Sequence, residues 1–255
     1  MNTILIYDGS FDGLLSAIFN AFELRLTNVC IKRREYSQQN FFDAEEEIIT
    51  DTEKARRVWM GLSKKISQQG RQKIYKVFLS EIPTIENAIL HFIKRTFSSE
   101  VSIENDYSDP IILEIDKVSK KVDREKHRMD AFVRFRLNND GIYFATIEPD
   151  FNVLPLNSEH FKKRYADQKW LIYDLKRKYG IYYNLQNVAI VELEISSEVN
   201  SSTKALTYFT VDEINFQELW RIYFKNSNIP SRKNMRLHIK HIPKRYWKYL
   251  PEKRF

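Results

Sequence analysis

The sequence predicts an α+β fold of mixed helices and antiparallel hairpins ending in a basic helical C-terminus. Three observations carry this. Apolar residues recur at helical spacing through much of the chain, short alternating or apolar runs mark strands, and the two do not follow one another in regular β–α–β order. "TILIYD" (3–8) reads as a buried strand that ends at Asp8-Gly9-Ser10. Leu14, Leu15, Ile18, Phe19 and Phe22 then recur at helical spacing, so a strand, a tight turn and a helix follow one another directly. Ser10 is a suitable N-cap there, with Asp12 favourable in the first turn. "VCIKRREY" (29–36) is a second strand. "TDTEKARRVWMGLSKKIS" (50–67) is a helix opened by a Thr50-x-x-Glu53 capping box. Helices over 71–81 and 84–97 meet at Pro83, and 110–135 carries a long charged helical pattern.

"FVRFRLNNDGIYFATIEPD" reads as a hairpin turning at Asn139-Asp140-Gly141. Residues 157–167 read as a helix, 169–183 as a hairpin with a basic tip at 176–178, and 187–195 as a strand. A polar loop (196–204) and helices over 212–226, 231–240 and 244–250 complete the chain.

The 255 residues suffice for one large domain or two small ones with a sizeable core. With 43% hydrophobic and 29% charged residues, the chain has the composition of a folded protein rather than a disordered one. The lone Cys30 excludes an internal disulfide and any multi-cysteine zinc or iron–sulfur site of this chain. The N-terminal run lacks a basic n-region and breaks at Asp8, and no stretch reaches the roughly 20 apolar residues of a membrane helix. The expectation is a cytoplasmic protein without a membrane partner.

Charge is unevenly distributed. Residues 221–255 hold eleven Lys and Arg against one acid, a balance of +10 that leaves −3 for the first 220 residues. A near-neutral body with a strongly basic end is the footprint of a protein facing a polyanion, although a lysine-rich solvated surface gives the same count. On a helical wheel, Lys244, Arg245 and Lys248 fall opposite Tyr246, Trp247 and Leu250, with Tyr249 between. The cations should therefore face water over a packed aromatic side. Phe216, Leu219, Trp220, Tyr223 and Phe224 form a second stripe, read as core packing. The candidate nucleic-acid contacts are Lys162, Lys163, Arg164, Lys176, Arg177, Lys178, Arg232, Lys233, Arg236, Lys240, Lys244, Arg245 and Lys248. If the 176–178 tip folds beside the C-terminal helices, these would form one groove that grips phosphates.

Chemistry-bearing motifs are sparse. There is no phosphate-binding Walker loop, no nucleophile elbow and no paired metal-ligand motif, so neither a cofactor nor a metal is expected. The weak catalytic candidates are Asp8, Asp12, Asp150 and His160. Asp8, Asp12, Glu148 and Asp150 would make a carboxylate cluster for a metal if the first turn met the end of the hairpin, while Glu148-Pro149-Asp150 also has the chemistry of a plain turn.

The segments "YDGSFDGLLSAIF", "ARRVWMGL", "HRMDAFVRF", "EPDFNVLPLNSEHFKKRYADQKWLIYDLKRKYGIYY", "LWRIYFKNSNIPSRKN" and "KRYWKYLPEK" are spread over nearly the whole chain. Together they resemble a bacterial family labelled "probable DNA metabolism" or DNA repair proteins. The resemblance implies a shared α+β domain over 83–255 preceded by a strand–helix region over 1–82. It also implies a link with a radical-SAM DNA repair or modification partner, and relatives fused to uracil-DNA-glycosylase-type domains. It transfers no catalytic residue. The expected function is a DNA-binding accessory protein of a repair or modification pathway. The alternatives are an enzyme acting on DNA through the four candidates above, or a scaffold whose basic end binds an acidic protein. Whether the chain is an enzyme, and its oligomeric state, stay open at this point.

Overall fold

A computed structural model describes residues 3–36, 44–192, 216, 219, 222 and 235–253. The chain divides into two compact units, Met1–Asp123 and Arg124–Phe255. The division falls inside a helix, beyond the 82/83 boundary implied by the family resemblance. Each unit has its own sheet, and the class is α+β.

The first unit is built on a parallel three-stranded sheet in the order β2-β1-β3, from β1 (Thr3–Tyr7), β2 (Val29–Arg33) and β3 (Ala44–Glu47). Helix α1 (Phe11–Glu23) is the crossover between β1 and β2. Ser10 caps it as expected, accepting from the Gly13 amide at 2.9 Å. Helix α2 (Thr52–Ser63) packs on α1 and corrects the capping box. Its cap is Asp51, whose side chain accepts from the Glu53 and Lys54 amides, while the Thr50 hydroxyl donates to Asp8 instead. Buried Ser16 joins the two helices by accepting from the Asp51 amide at 3.0 Å. Helices α3 (Gln68–Phe78), α4 (Ile85–Ser98) and the first part of α5 (Pro110–Phe132) complete the unit. Leu5, Leu14, Ile18, Ile31, Ile74, Ile89 and Ile93 line its core.

A charged cluster lies within this core. The Glu86 carboxylate accepts from the Tyr7 hydroxyl at 3.0 Å and from Arg33 Nε at 2.9 Å, and Arg33 also donates to the Phe78 carbonyl. All three ionisable residues are buried. Burial first, and the neighbouring Glu86 charge second, push the Tyr7 hydroxyl well above its ordinary range, so it stays a donor.

The second unit holds a five-stranded sheet in the order β4-β5-β6-β7-β8. Its strands are β4 (Arg136–Leu137), β5 (Tyr143–Ile147), β6 (Trp170–Asp174), β7 (Tyr179–Tyr183) and β8 (Val188–Val191). Both expected hairpins are present, with Gly141 left-handed (φ +75°) in the first turn. Helix α6 (Leu154–Arg164) connects β5 to β6, which pair in parallel. Phe135, Phe161, Trp170 and Tyr183 pack ring against ring beneath it.

Helix α7 (Met235–His241) precedes a 3-10 helix over Lys244–Tyr249. The latter replaces the expected α-helix over 244–250. The polar loop at 196–204 and most of 212–226 lie outside the described residues. Of the second aromatic stripe, Phe216 and Leu219 are described, and they are exposed rather than packed. Among the described residues no helix is long and apolar enough to cross a membrane.

Replacing Glu86 leaves Arg33 buried without its carboxylate. The substitution Glu86→Ala should cost about 3 kcal/mol in a urea unfolding experiment. A loss below about 1 kcal/mol would show that Glu81, 4.0 Å from Arg33, takes over the charge.

Candidate nucleic-acid interface

The two basic segments singled out in the sequence meet one short loop, Glu148-Pro149-Asp150, which follows β5. The hairpin tip approaches from one direction. Asp174, the last residue of β6, is fully buried, and its Oδ1 accepts from the backbone amides of Lys176 and Arg177 at 2.9 and 3.2 Å. Its Oδ2 accepts from Arg177 Nη1 at 2.8 Å. This carboxylate turns the chain, with Lys178 left-handed at φ +58°. Burial drives the Asp174 carboxyl upward in pKa, and the Arg177 charge opposes that. Arg177 also donates to the Pro149 and Asp150 carbonyls, and Lys176 Nζ to the Asp150 carbonyl, all at 3.2 Å.

The tail meets the same loop. In a 3-10 helix, residues three apart lie above one another, so Arg245 aligns with Lys248 and Tyr246 with Tyr249. Each cation–tyrosine pair holds one glutamate. Arg245 (3.2 Å) and the Tyr246 hydroxyl donate to Glu125, while Lys248 and the Tyr249 hydroxyl (2.6 Å) donate to Glu148. Arg245 additionally pairs with Asp150 at 2.6 Å. Glu125 projects from α5, is 1% exposed, and also accepts from the Asp150 amide at 2.9 Å and from Arg128 at 3.3 Å. Tyr246 and Leu250 are buried, Lys244, Arg245 and Lys248 are exposed, and Arg134 ties down Glu252 at 2.8 Å.

The tip and the tail are therefore brought together, with carboxylates interposed. Arg177, Arg245 and Lys248 face Asp174, Glu125, Asp150 and Glu148, so the field of these cations is largely cancelled within a few ångströms. The other expected contacts differ in kind. Lys178, Arg236, Lys240 and Lys244 are exposed and make no ion pair with a described residue. Lys162, Lys163 and Arg164 form the last turn of α6, where they suit the negative end of the helix, and the Arg164 guanidinium lies 5.7 Å from the Tyr165 ring centre. Arg232 and Lys233 lie outside the described residues.

Among the described residues, no group of three or more His, Cys, Asp or Glu is placed to hold a metal ion. Of the conditional carboxylate cluster, Asp8 and Asp12 belong to the first unit and Glu148 and Asp150 to the second. Asp8 is engaged by Ser10 and Thr50, and Glu148 and Asp150 by Lys248 and Arg245. His160 rests edge-on against Phe161, with its Nε2 buried and without a hydrogen-bond partner among the described residues. Sequence reading missed Glu125, Tyr246 and Tyr249 as organising groups. Glu125 did carry a signal, because it lies three residues after Val122 and four before Met129 on the apolar stripe of α5.

The Lys248 and Tyr249 donors hold the Glu148 carboxyl below its ordinary value of 4.5. A depressed carboxylate contributes stability that is complete above its unfolded pKa and disappears as pH falls through the folded one. Both partners are more than one third exposed, so Glu148→Gln should cost no more than about 1 kcal/mol at neutral pH. Urea midpoints should converge with wild type once the pH has fallen below the folded carboxyl's depressed pKa. A gap that persists in acid would assign the effect to packing.

No curated protein matches the chain. Among solved structures, the pGpG-specific phosphodiesterase PggH from Vibrio cholerae superposes over 90% of this chain and 100% of its own, at 10% identity and a TM-score of 0.32, too low for a shared fold. Residues 83–252, about two thirds of the sequence, match the family described as a domain of unknown function, DUF4130, and the chain belongs to that family.

Proposed function

We propose that this protein is a DNA-binding accessory factor of a repair or modification pathway, acting in the cytoplasm beside a radical-SAM or glycosylase-type enzyme. The observation that carries the reading is the basic tail held beside a basic hairpin tip at one loop. Ion pairing divides the cations into two roles. Arg177, Arg245 and Lys248 are taken up by carboxylates, and Lys178, Arg236, Lys240 and Lys244 are left to meet phosphates, with Lys162, Lys163 and Arg164 as further candidates. Arg232 and Lys233 belong to the same basic tail by sequence. Phosphate contact of this sort fixes position on the duplex without reading bases, which suits a factor that presents DNA to another enzyme. The sequence resemblance to DNA repair proteins supports the same assignment. Exposed Phe216, Leu219 and Ile222, at helical spacing, fit a surface for the protein partner.

Duplex DNA affinity should fall with salt, with a log–log slope of about −0.9 per phosphate neutralised. The combined variant Lys178→Glu, Lys240→Glu and Lys244→Glu should bind at least about tenfold more weakly and flatten the slope by about 0.9 for each phosphate it no longer neutralises. Fluorescence anisotropy across a salt series measures both. An unchanged affinity and slope in a variant with wild-type circular dichroism would rule out this surface.

A further inference from the structure

The outer hairpin of the second unit's sheet is free of charge. Tyr179–Val191, which spans β7, its turn and β8, runs for thirteen residues without Asp, Glu, Lys or Arg, the longest such run in a chain that is 29% charged. β8 ends the order β4-β5-β6-β7-β8 and pairs only with β7 among the described residues. Ala189 and Ile190 point to opposite faces of the sheet, and both are exposed, Ile190 at 71%. The edge is therefore open on both sides.

The register fixes which backbone groups face that edge. The Asn184 amide donates to the Asn187 carbonyl across the two-residue turn at 3.3 Å, and Tyr182↔Ala189 and Gly180↔Val191 follow at every second position. Those pairs exchange hydrogen bonds within the sheet, so the N–H and C=O groups of Val188 and Ile190 point away from β7. Natural edges are blunted by a lysine, a proline or a bulge, and Val-Ala-Ile-Val in an unbroken register has none of these. Its one protection is its length of four residues.

We propose that two copies of this chain pair along β8, antiparallel about a two-fold axis at Ala189, joining their sheets edge to edge. The strand's own pattern selects this occupant. In that register each Val188 meets Ile190 of the second copy, which gives two apolar pairs on one face and hydrogen-bond partners for the outward backbone groups. Ala189 meets its counterpart at the axis, where the strands come closest and a small side chain fits. The first charge, Glu192, lies opposite neutral Gln186 of the second copy. The two Glu192 carboxylates fall at opposite ends of the pairing, about 20 Å apart and beyond the screening length at physiological salt. A chain of net charge +7 thus meets itself here without bringing like charges together, and a charged partner strand gains no attraction from this edge. Four residues a side make a small interface, so the dimer is weak and concentration-dependent. None of these residues is among the proposed DNA contacts, and the inference does not rest on them.

Sedimentation velocity from about 1 to about 300 µM should show a reversible monomer–dimer equilibrium with Kd on the order of 10–100 µM, the range of a small interface. Ile190→Lys, at an exposed side chain, should weaken it at least about tenfold with an unchanged circular dichroism spectrum. In a Cys30→Ser background, Ala189→Cys should form disulfide-linked dimers on mild oxidation, because a non-hydrogen-bonded pair brings the Cα atoms to about 4.5 Å. Val188→Cys, which faces Ile190 instead, should cross-link at least about tenfold less. A monomer at every concentration, a dimer indifferent to Ile190→Lys, or equal cross-linking at 188 and 189 would overturn the assignment, the first leaving the edge to a strand of another protein.

Discussion

The second unit is organised around one buried carboxylate. Glu125 is almost wholly withdrawn from water, and it accepts from the Tyr246 hydroxyl, Arg245, Arg128 and the Asp150 amide. A buried ionised carboxylate is stable only when its lone pairs are met, and removing its partners costs several kcal/mol, against about 0–1 kcal/mol for an exposed ion pair. That difference ranks the contacts. Glu125 with the tail, and Asp174 with Arg177, set the geometry, while the half-exposed Lys248–Glu148 pair adds little. Because the Asp150 amide shares Glu125 with the tail, the loop after β5 and the 3-10 helix are positioned together. Arg177 brings the hairpin tip to the same loop.

This arrangement changes what the basic tail means. Counted along the sequence, residues 221–255 carry +10. Counted in space, Arg245, Lys248 and the neighbouring Arg177 lie against carboxylates supplied by α5, by the loop after β5 and by the end of β6. Ion pairs of this kind are dipoles at a distance, so a polyanion feels mainly the cations outside them. The basic surface is thus narrower than the sequence count implies. Its cations also divide into those that shape it and those that can leave it for a phosphate.

Much of the fold was legible because burial imposes a period. The strands at 3–8 and 170–174, both hairpin turns, and the helices of the first unit follow from alternation, apolar spacing and turn residues. Strand β3 was not legible, since Ala-Glu-Glu-Glu carries no apolar pattern and all four residues are exposed. Its place is fixed by pairing with β1, which is non-local information. Thr50 and Asp51 are both competent caps, and only the position of Asp8 decides between them. The wheel for 244–250 assumed the wrong helix: its exposed cations and buried Tyr246 and Leu250 hold, but Trp247, placed on the same packed side, is half-buried, and Leu250 lies beyond the 3-10 helix in extended backbone. The partners of the cations could not be read, as Glu125 lies about 120 residues before Arg245 along the chain.

The central claim is that Glu125 couples the tail, the loop after β5 and the hairpin tip into one cooperative surface. Hydrogen–deuterium exchange on Glu125→Gln, compared with wild type at equal pH and salt, tests it most directly. The account predicts faster exchange together at 148–150, 174–178 and 244–250, with helix α6 unchanged. Faster exchange confined to residues beside position 125, with the tail and the tip protected as in wild type, would contradict it.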